Sequence, residues 1–76
     1  MNISTMMKLK LRSIKDDALE ISKILKRYSI FSNIKTIPIR NTKKGMYVIA
    51  HYNLKDVLEV KTLKNELSTR FIIRAY

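Results

Sequence analysis

Near its start the chain alternates strictly. Lys8-Leu9-Lys10-Leu11-Arg12 places the leucines on one face of an extended segment and the cations on the other. After this half-buried strand the period changes. Ala18, Ile21, Leu25 and Tyr28, with Ile24 beside them, recur at helical spacing within 15–28. Ser13 or Asp16 is placed to cap that helix. Asp16, Asp17 and Glu20 fall in its early turns and Lys23, Lys26 and Arg27 near its end, which complements the helix dipole.

Ser29 to Asn33 is a polar break, and Ile34 to Arg40 predicts a second strand. Pro38 has no N–H for a ladder, so this strand belongs at a sheet edge or a bulge. Asn41-Thr42-Lys43-Lys44-Gly45 predicts a hairpin loop, and Met46 to Tyr52, β-branched and aromatic, a third strand. Asn53 is a suitable cap for a second helix over 53–69, whose stripe is Leu54, Val57, Leu58, Val60, Leu63 and Leu67. Phe71, Ile72 and Ile73, between Arg70 and Arg74, predict a last strand.

The order β-α-β-β-α-β predicts an α+β fold of ferredoxin-like topology. Right-handed crossovers would stack both helices on one face of a four-stranded antiparallel sheet. Residues 1–76 read as a single small domain, with 1–6 as a short tail.

Size and charge sharpen this picture. A chain of 76 residues with no cysteine buries only about 60 % of its unfolded surface and has no disulfide to add. Its formal charge of +10 adds self-repulsion. Such a chain is expected to reach full order against a partner. No apolar run approaches the roughly 20 residues of a membrane span. The first residues lack a signal-peptide core, and Met1 to Lys10 is too short and strand-like for a transit peptide. Eleven Ile, eleven Lys, five Asn and four Tyr against one Gly and one Pro is the usage of an AT-rich genome, whether of an organelle or of a bacterium or parasite.

The charge is sorted by segment. All six acids, Asp16, Asp17, Glu20, Asp56, Glu59 and Glu66, lie in the two helical stretches, against seven bases there. Lys8, Lys10, Arg12, Lys35, Arg40, Lys43, Lys44, Arg70 and Arg74 lie outside them with no acid at all. A solvated, solubilising surface is the plain account of scattered cations. Segregation on this scale favours a polyanion partner.

Catalytic chemistry finds little footing. The one histidine, His51, has no cysteine to activate and no carboxylate nearby in sequence, so a structural role is expected. The single glycine rules out a Gly-rich phosphate loop, and one His with helix-surface acids is no metal motif. No enzyme activity, cofactor, metal or small-molecule substrate is expected. The sheet topology invites comparison with the RNA-recognition module, whose signature is Lys/Arg-Gly-aromatic-Gly/Ala-aromatic-Val-x-aromatic. Lys44-Gly45-Met46-Tyr47-Val48-Ile49-Ala50-His51 keeps only its opening, with Met46 and Val48 at the leading aromatic positions. Phosphate contact rather than base stacking is the expected mode.

The stretch Ile37-Pro38-Ile39-Arg40-Asn41-Thr42-Lys43-Lys44-Gly45-Met46-Tyr47-Val48-Ile49 resembles the small-subunit ribosomal protein S-ten family. That family runs Ile-Pro-Leu-Pro-Thr, then basic residues, then an aromatic five positions after the Thr and a β-branched strand. Thr42 and Tyr47 keep this spacing, Lys43-Lys44 stand at the basic pair, and Arg40-Asn41 replace the second proline with one inserted residue. Lys8-Leu9-Lys10-Leu11-Arg12 is similar to the family's opening alternation, and Ser13-Ile14-Lys15-Asp16 to the Ser-aromatic-Asp that ends it. The likeness covers roughly residues 8–50. The family's long hairpin arm, with its Ser-Pro-His and Arg-Thr-His-Lys-Arg elements, has no counterpart in Ala50-His51-Tyr52-Asn53.

The resemblance implies a reduced structural constituent of a small ribosomal subunit, bound to ribosomal RNA and neighbouring small-subunit proteins. A mitochondrial or other organellar ribosome is the expected place, with the cytoplasm of an AT-rich organism as the other. Lys43 and Lys44 at the hairpin tip, flanked by Arg40, are the foremost expected RNA contacts. Lys8, Lys10, Arg12, Lys35, Arg70 and Arg74 complete the set. The competing expectation is a small ferredoxin-like dimerising regulatory or protein-interaction module that binds no nucleic acid and needs no segregated charge.

Overall fold

The opening alternation extends well beyond its five clearest residues. In the computed structural model, which describes residues 6–75 with side chains as far as Ile73, the first strand β1 spans Met6–Ile14. It is followed by α1 (Lys15–Lys26), β2 (Phe31–Pro38) and β3 (Gly45–Asn53). A 3₁₀ turn over Leu54–Asp56 then leads into α2 (Val57–Arg70), and β4 covers Arg74–Ala75. Met6 pairs with Asn53 and so belongs to the strand rather than to a tail.

The fold is α+β, with three antiparallel strands of eight or nine residues and two helices. The sheet order is β2-β3-β1-β4, so β3 lies between β2 and β1 and runs antiparallel to both. The expected last strand at Phe71–Ile73 does not form. The Phe71 N–H closes α2 on the Leu67 carbonyl at 2.8 Å. The next residues supply about 10 Å of chain, which is used in returning from the helix to the sheet. Among the described residues, Arg74 and Ala75 alone then pair, opposite Arg12 and Leu11.

Register divides the residues between two faces. Leu9 stands opposite Ala50, and Leu11 opposite Val48, while Tyr52 faces Phe31 across the other ladder. These side chains join Ala18, Ile21 and Leu25 of α1 and Val60, Leu63 and Leu67 of α2 in one buried cluster. Each fully buried large aliphatic contributes roughly 1.5–3 kcal/mol. Phe31 meets Tyr28 and Tyr52 edge to face, with centroids 6.3 and 6.2 Å apart. These contacts tie the start of β2 to the turn after α1 and to the end of β3.

Several expectations change in detail. The second strand begins at Phe31 rather than Ile34, because Asn33 adopts φ 52° at an irregularity between Ser32 and Lys35 and lets the strand pair on both sides of it. Asn is among the few residues that tolerate that region. Pro38 ends the outermost strand, where its missing N–H costs no ladder bond. Neither Ser13 nor Asp16 caps α1. Its cap position is Ile14, without a side-chain bond, because β1 runs directly into the helix. Asn53 caps the 3₁₀ turn rather than α2, accepting from the Lys55 N–H at 3.0 Å, and the cap position of α2 is Asp56, without a side-chain bond. Leu54 and Leu58 leave the expected stripe and are 48 % and 74 % exposed: Leu54 precedes α2 in the 3₁₀ turn, and at roughly 100° per residue Leu58 lies on the opposite face of the helix from Val60 and Leu67.

The loop 39–44 is held by its own hydrogen bonds. The Ile39 carbonyl accepts from the Thr42 hydroxyl at 3.2 Å, and the Gly45 N–H donates to that hydroxyl oxygen at 3.3 Å. Asn41 takes the left-handed turn position at φ 66°. Gly45 is required by close approach: a Cβ there would lie 2.7 Å from Thr42 Oγ1 and 3.0 Å from Ile39 Cδ1. Gly45→Ala should therefore lower stability by about 1–3 kcal/mol, read as a reduced urea midpoint at constant m-value. An unchanged midpoint would mean that the loop relaxes freely.

Candidate nucleic-acid interface

One face of the sheet carries the helices; the other carries cations. Because β1 and β3 pair antiparallel, Lys8 stands opposite His51, Lys10 opposite Ile49 and Arg12 opposite Tyr47. On the far side of β3, Ser32, Lys35 and Ile37 stand opposite the same three residues. Tyr47, Ile49 and His51 thus form a central column, flanked by Lys8, Lys10 and Arg12 on β1 and by Lys35 on β2. Arg74 is registered beside Arg12, although its side chain lies outside the described residues.

No acid interrupts this face. Asp16, Asp17 and Glu20 are on α1, Asp56 is in the 3₁₀ turn, and Glu59 and Glu66 are on α2. Ile49 is buried to 7 % exposure although it points away from the helices. Its cross-strand neighbours Lys10 and Lys35 have long methylene stems that cover apolar surface while the ammonium groups stay in water. Lys10 also reaches Tyr47, with its Nζ 4.4 Å from the ring centroid. A cation at that distance interacts with the π face of the ring.

The hairpin loop adjoins one end of this face. The Lys15 N–H, the first of α1, donates to the Lys44 carbonyl at 2.7 Å and braces the loop against the β1–α1 junction. A cleft of about 570 Å³ opens there, lined by Arg12, Ser13, Ile14, Thr42, Lys43, Lys44, Gly45 and Ile72. The structure thereby joins Arg12 to Lys43 and Lys44, which are distant in sequence. The loop is braced by backbone and Thr42 hydrogen bonds at its base.

Other expected contacts are dispersed. Arg40 is exposed in the loop but does not line the cleft. Arg70 ends α2, its guanidinium 5.4 Å from the Phe71 ring centroid, apart from the sheet-face cations.

The column Tyr47-Ile49-His51 was not foreseen. Met46 and Val48, which stand at the leading aromatic positions of the RNA-recognition signature, belong to the helix-side face, and Tyr47 and His51 to the open one. The signature and the strand are out of frame by one residue, which exchanges the two faces. The available signal was the β1 alternation: pairing its leucines with Val48 and Ala50 sets Tyr47 among the lysines.

His51 is half-buried, and its Nδ1 is buried with no hydrogen-bond partner among the described residues. No group of three or more metal-ligating side chains converges among the described residues, and none of the described helices is long and apolar enough to cross a membrane. An orphaned buried polar atom costs about 1–3 kcal/mol. His51→Phe removes it and suits a strand, so thermal unfolding should shift upward. A loss of stability would show that the imidazole is satisfied in solution. The chain matches no family model, no curated protein and no solved structure.

Proposed function

We propose that this protein is a structural, RNA-binding constituent of a small ribosomal subunit, a reduced relative of the S-ten family. It works in a mitochondrial or other organellar ribosome, or in the cytoplasm of an AT-rich organism. Its partners are ribosomal RNA and neighbouring small-subunit proteins, and it catalyses no reaction. One observation carries the reading. Lys8, Lys10, Arg12 and Lys35 share one face of the sheet, Lys43 and Lys44 adjoin it, and every acid of the chain lies in the helices or the 3₁₀ turn. Phosphate neutralisation needs that distribution; a soluble regulatory domain does not.

The topology supports the same reading. In the order β2-β3-β1-β4, β1 and β2 run in the same direction on either side of β3, as in a split β-α-β unit. The arrangement is ferredoxin-like, with a fourth strand reduced to two residues. It is also the fold that the family resemblance implies.

Binding to small-subunit ribosomal RNA fragments should weaken steeply with salt, and the tagged protein should sediment with small-subunit particles. Lys43→Ala/Lys44→Ala should reduce the slope of log affinity against log salt by about 0.7–0.9 for every phosphate that is no longer neutralised. Lys61→Ala/Lys64→Ala on α2 is the control. An equal effect from the helix pair would remove the hairpin from the interface. Salt-insensitive affinity together with self-association would favour a dimerising regulatory module instead.

The isolated chain should melt broadly and at low temperature, because its cations repel and its core is small. RNA should sharpen and raise the transition, since a ligand of the folded state at about 100 times its Kd adds roughly 2.7 kcal/mol. Circular dichroism with and without RNA reads this. A sharp, RNA-independent melt at high temperature would contradict it.

A further inference from the structure

We propose that the open sheet face is a stacking platform for unpaired bases, with Tyr47 as its principal contact and His51 as a second. The ligand is a single-stranded RNA segment laid across β1, β3 and β2. This rests on the RNA-binding reading above and adds what part of the RNA this face takes.

Three observations carry it. Tyr47 is half-buried at the centre of the open face, and the Lys10 ammonium sits over its ring, 4.4 Å from the centroid, so a π face of the ring already engages a mobile cation. His51 lies two register positions beyond the buried Ile49 on the same face of β3, which sets the two rings about 13 Å apart along the strand. Cations flank these residues on both sides, Lys8, Lys10 and Arg12 on β1 and Lys35 on β2, and no acid shares the face.

A flat sheet cannot enter the deep, narrow major groove of an RNA duplex, whereas unpaired bases can splay onto aromatic rings while their phosphates meet flanking cations. Charge complementarity selects a polyanion, and the aromatic rings select one with exposed bases. Lys10 occupies the ring until a base arrives; its flexible stem then carries the ammonium to a neighbouring phosphate.

The test compares the full-length chain on three probes: a single-stranded RNA of about ten nucleotides, an abasic strand with the same number of phosphates, and a duplex of the same length. The single strand should bind more tightly than the abasic strand. Tyr47→Ala should abolish that preference, weakening single-strand binding by about 5- to 150-fold while leaving the abasic strand nearly unaffected. Tyr47→Phe should keep it. The chain has no tryptophan, so Tyr47→Trp adds a single indole whose fluorescence should be quenched by the single strand and not by the abasic one. The quenching measurement decides the matter even if Tyr47→Ala fails to fold. Equal affinity for native and abasic strands, with a steep salt slope and no selective quenching, overturns the stacking platform but leaves the phosphate-binding reading standing. Failure to bind any of the three probes overturns both.

Discussion

The register of β3 between its two neighbours is the constraint on which the rest of the molecule depends. With Val48 opposite Leu11 and Ala50 opposite Leu9, the aliphatic side chains of two strands meet beneath the helices. A slip of one residue on β1 would carry Lys8, Lys10 and Arg12 into that core and its leucines into water. Each leucine exposed forfeits roughly 1.5–3 kcal/mol, and an unpaired buried cation costs far more. The two penalties act in the same direction, so the pairing is strongly specified. The composition of the open face follows from it directly.

The hairpin is tied to this frame through the backbone. The Lys15 N–H is among the first of α1, which no side chain of its own helix caps; it finds the Lys44 carbonyl instead. One bond therefore serves two needs. It satisfies a helix-end donor that would otherwise require water or a cap, and it holds the β2–β3 loop against the end of β1. Thr42 and Gly45 complete the brace from within the loop. The consequence is electrostatic: Arg12, Lys43 and Lys44 line one cleft despite their repulsion.

Much of the architecture was legible in the chain because its patterns are clean where they matter. Leu9 and Leu11 alternate with cations, and Ala18, Ile21 and Leu25 repeat at helical spacing, so one period fits each. The charge sorting was legible too, since counting needs no coordinates. The orientation of β3 was not. Val48, Ile49 and Ala50 are all apolar and all buried, so the strand shows no alternation of its own, and its frame comes only from the partner strand. The exposed leucines near the start of α2 follow from helix geometry: at roughly 100° per residue Leu58 lies about half a turn from Val60 and Leu67, so steps of three and four that include it run onto the exposed face, and Leu54 precedes α2 in the 3₁₀ turn. The last strand was misplaced because Phe71, Ile72 and Ile73 have strand composition, whereas the chain spends them returning from the helix to the sheet.

A sheet with helices on one side alone leaves its other face to water, and that face must be soluble whatever else it does. Here the solution uses two parts of the same side chains. Lys10 and Lys35 stand on either side of Ile49, which is 7 % exposed, and long methylene stems of this kind cover apolar surface while carrying the charge outward. The two ammonium groups, with Lys8 and Arg12, also set the potential of the face. The acids stay on the helices and in the 3₁₀ turn, where Asp16 and Asp17 favour the N-terminus of α1. Their placement for local reasons leaves no Asp or Glu on the sheet face. Solubility alone would be served by charges of both signs, which hydrate a surface without accumulating repulsion. A face of one sign gives up that relief, and the repulsion falls only when an anion of matching extent lies across it. Helix electrostatics and strand alternation together thus produce a polarised domain, near neutral on its helices and basic on its sheet.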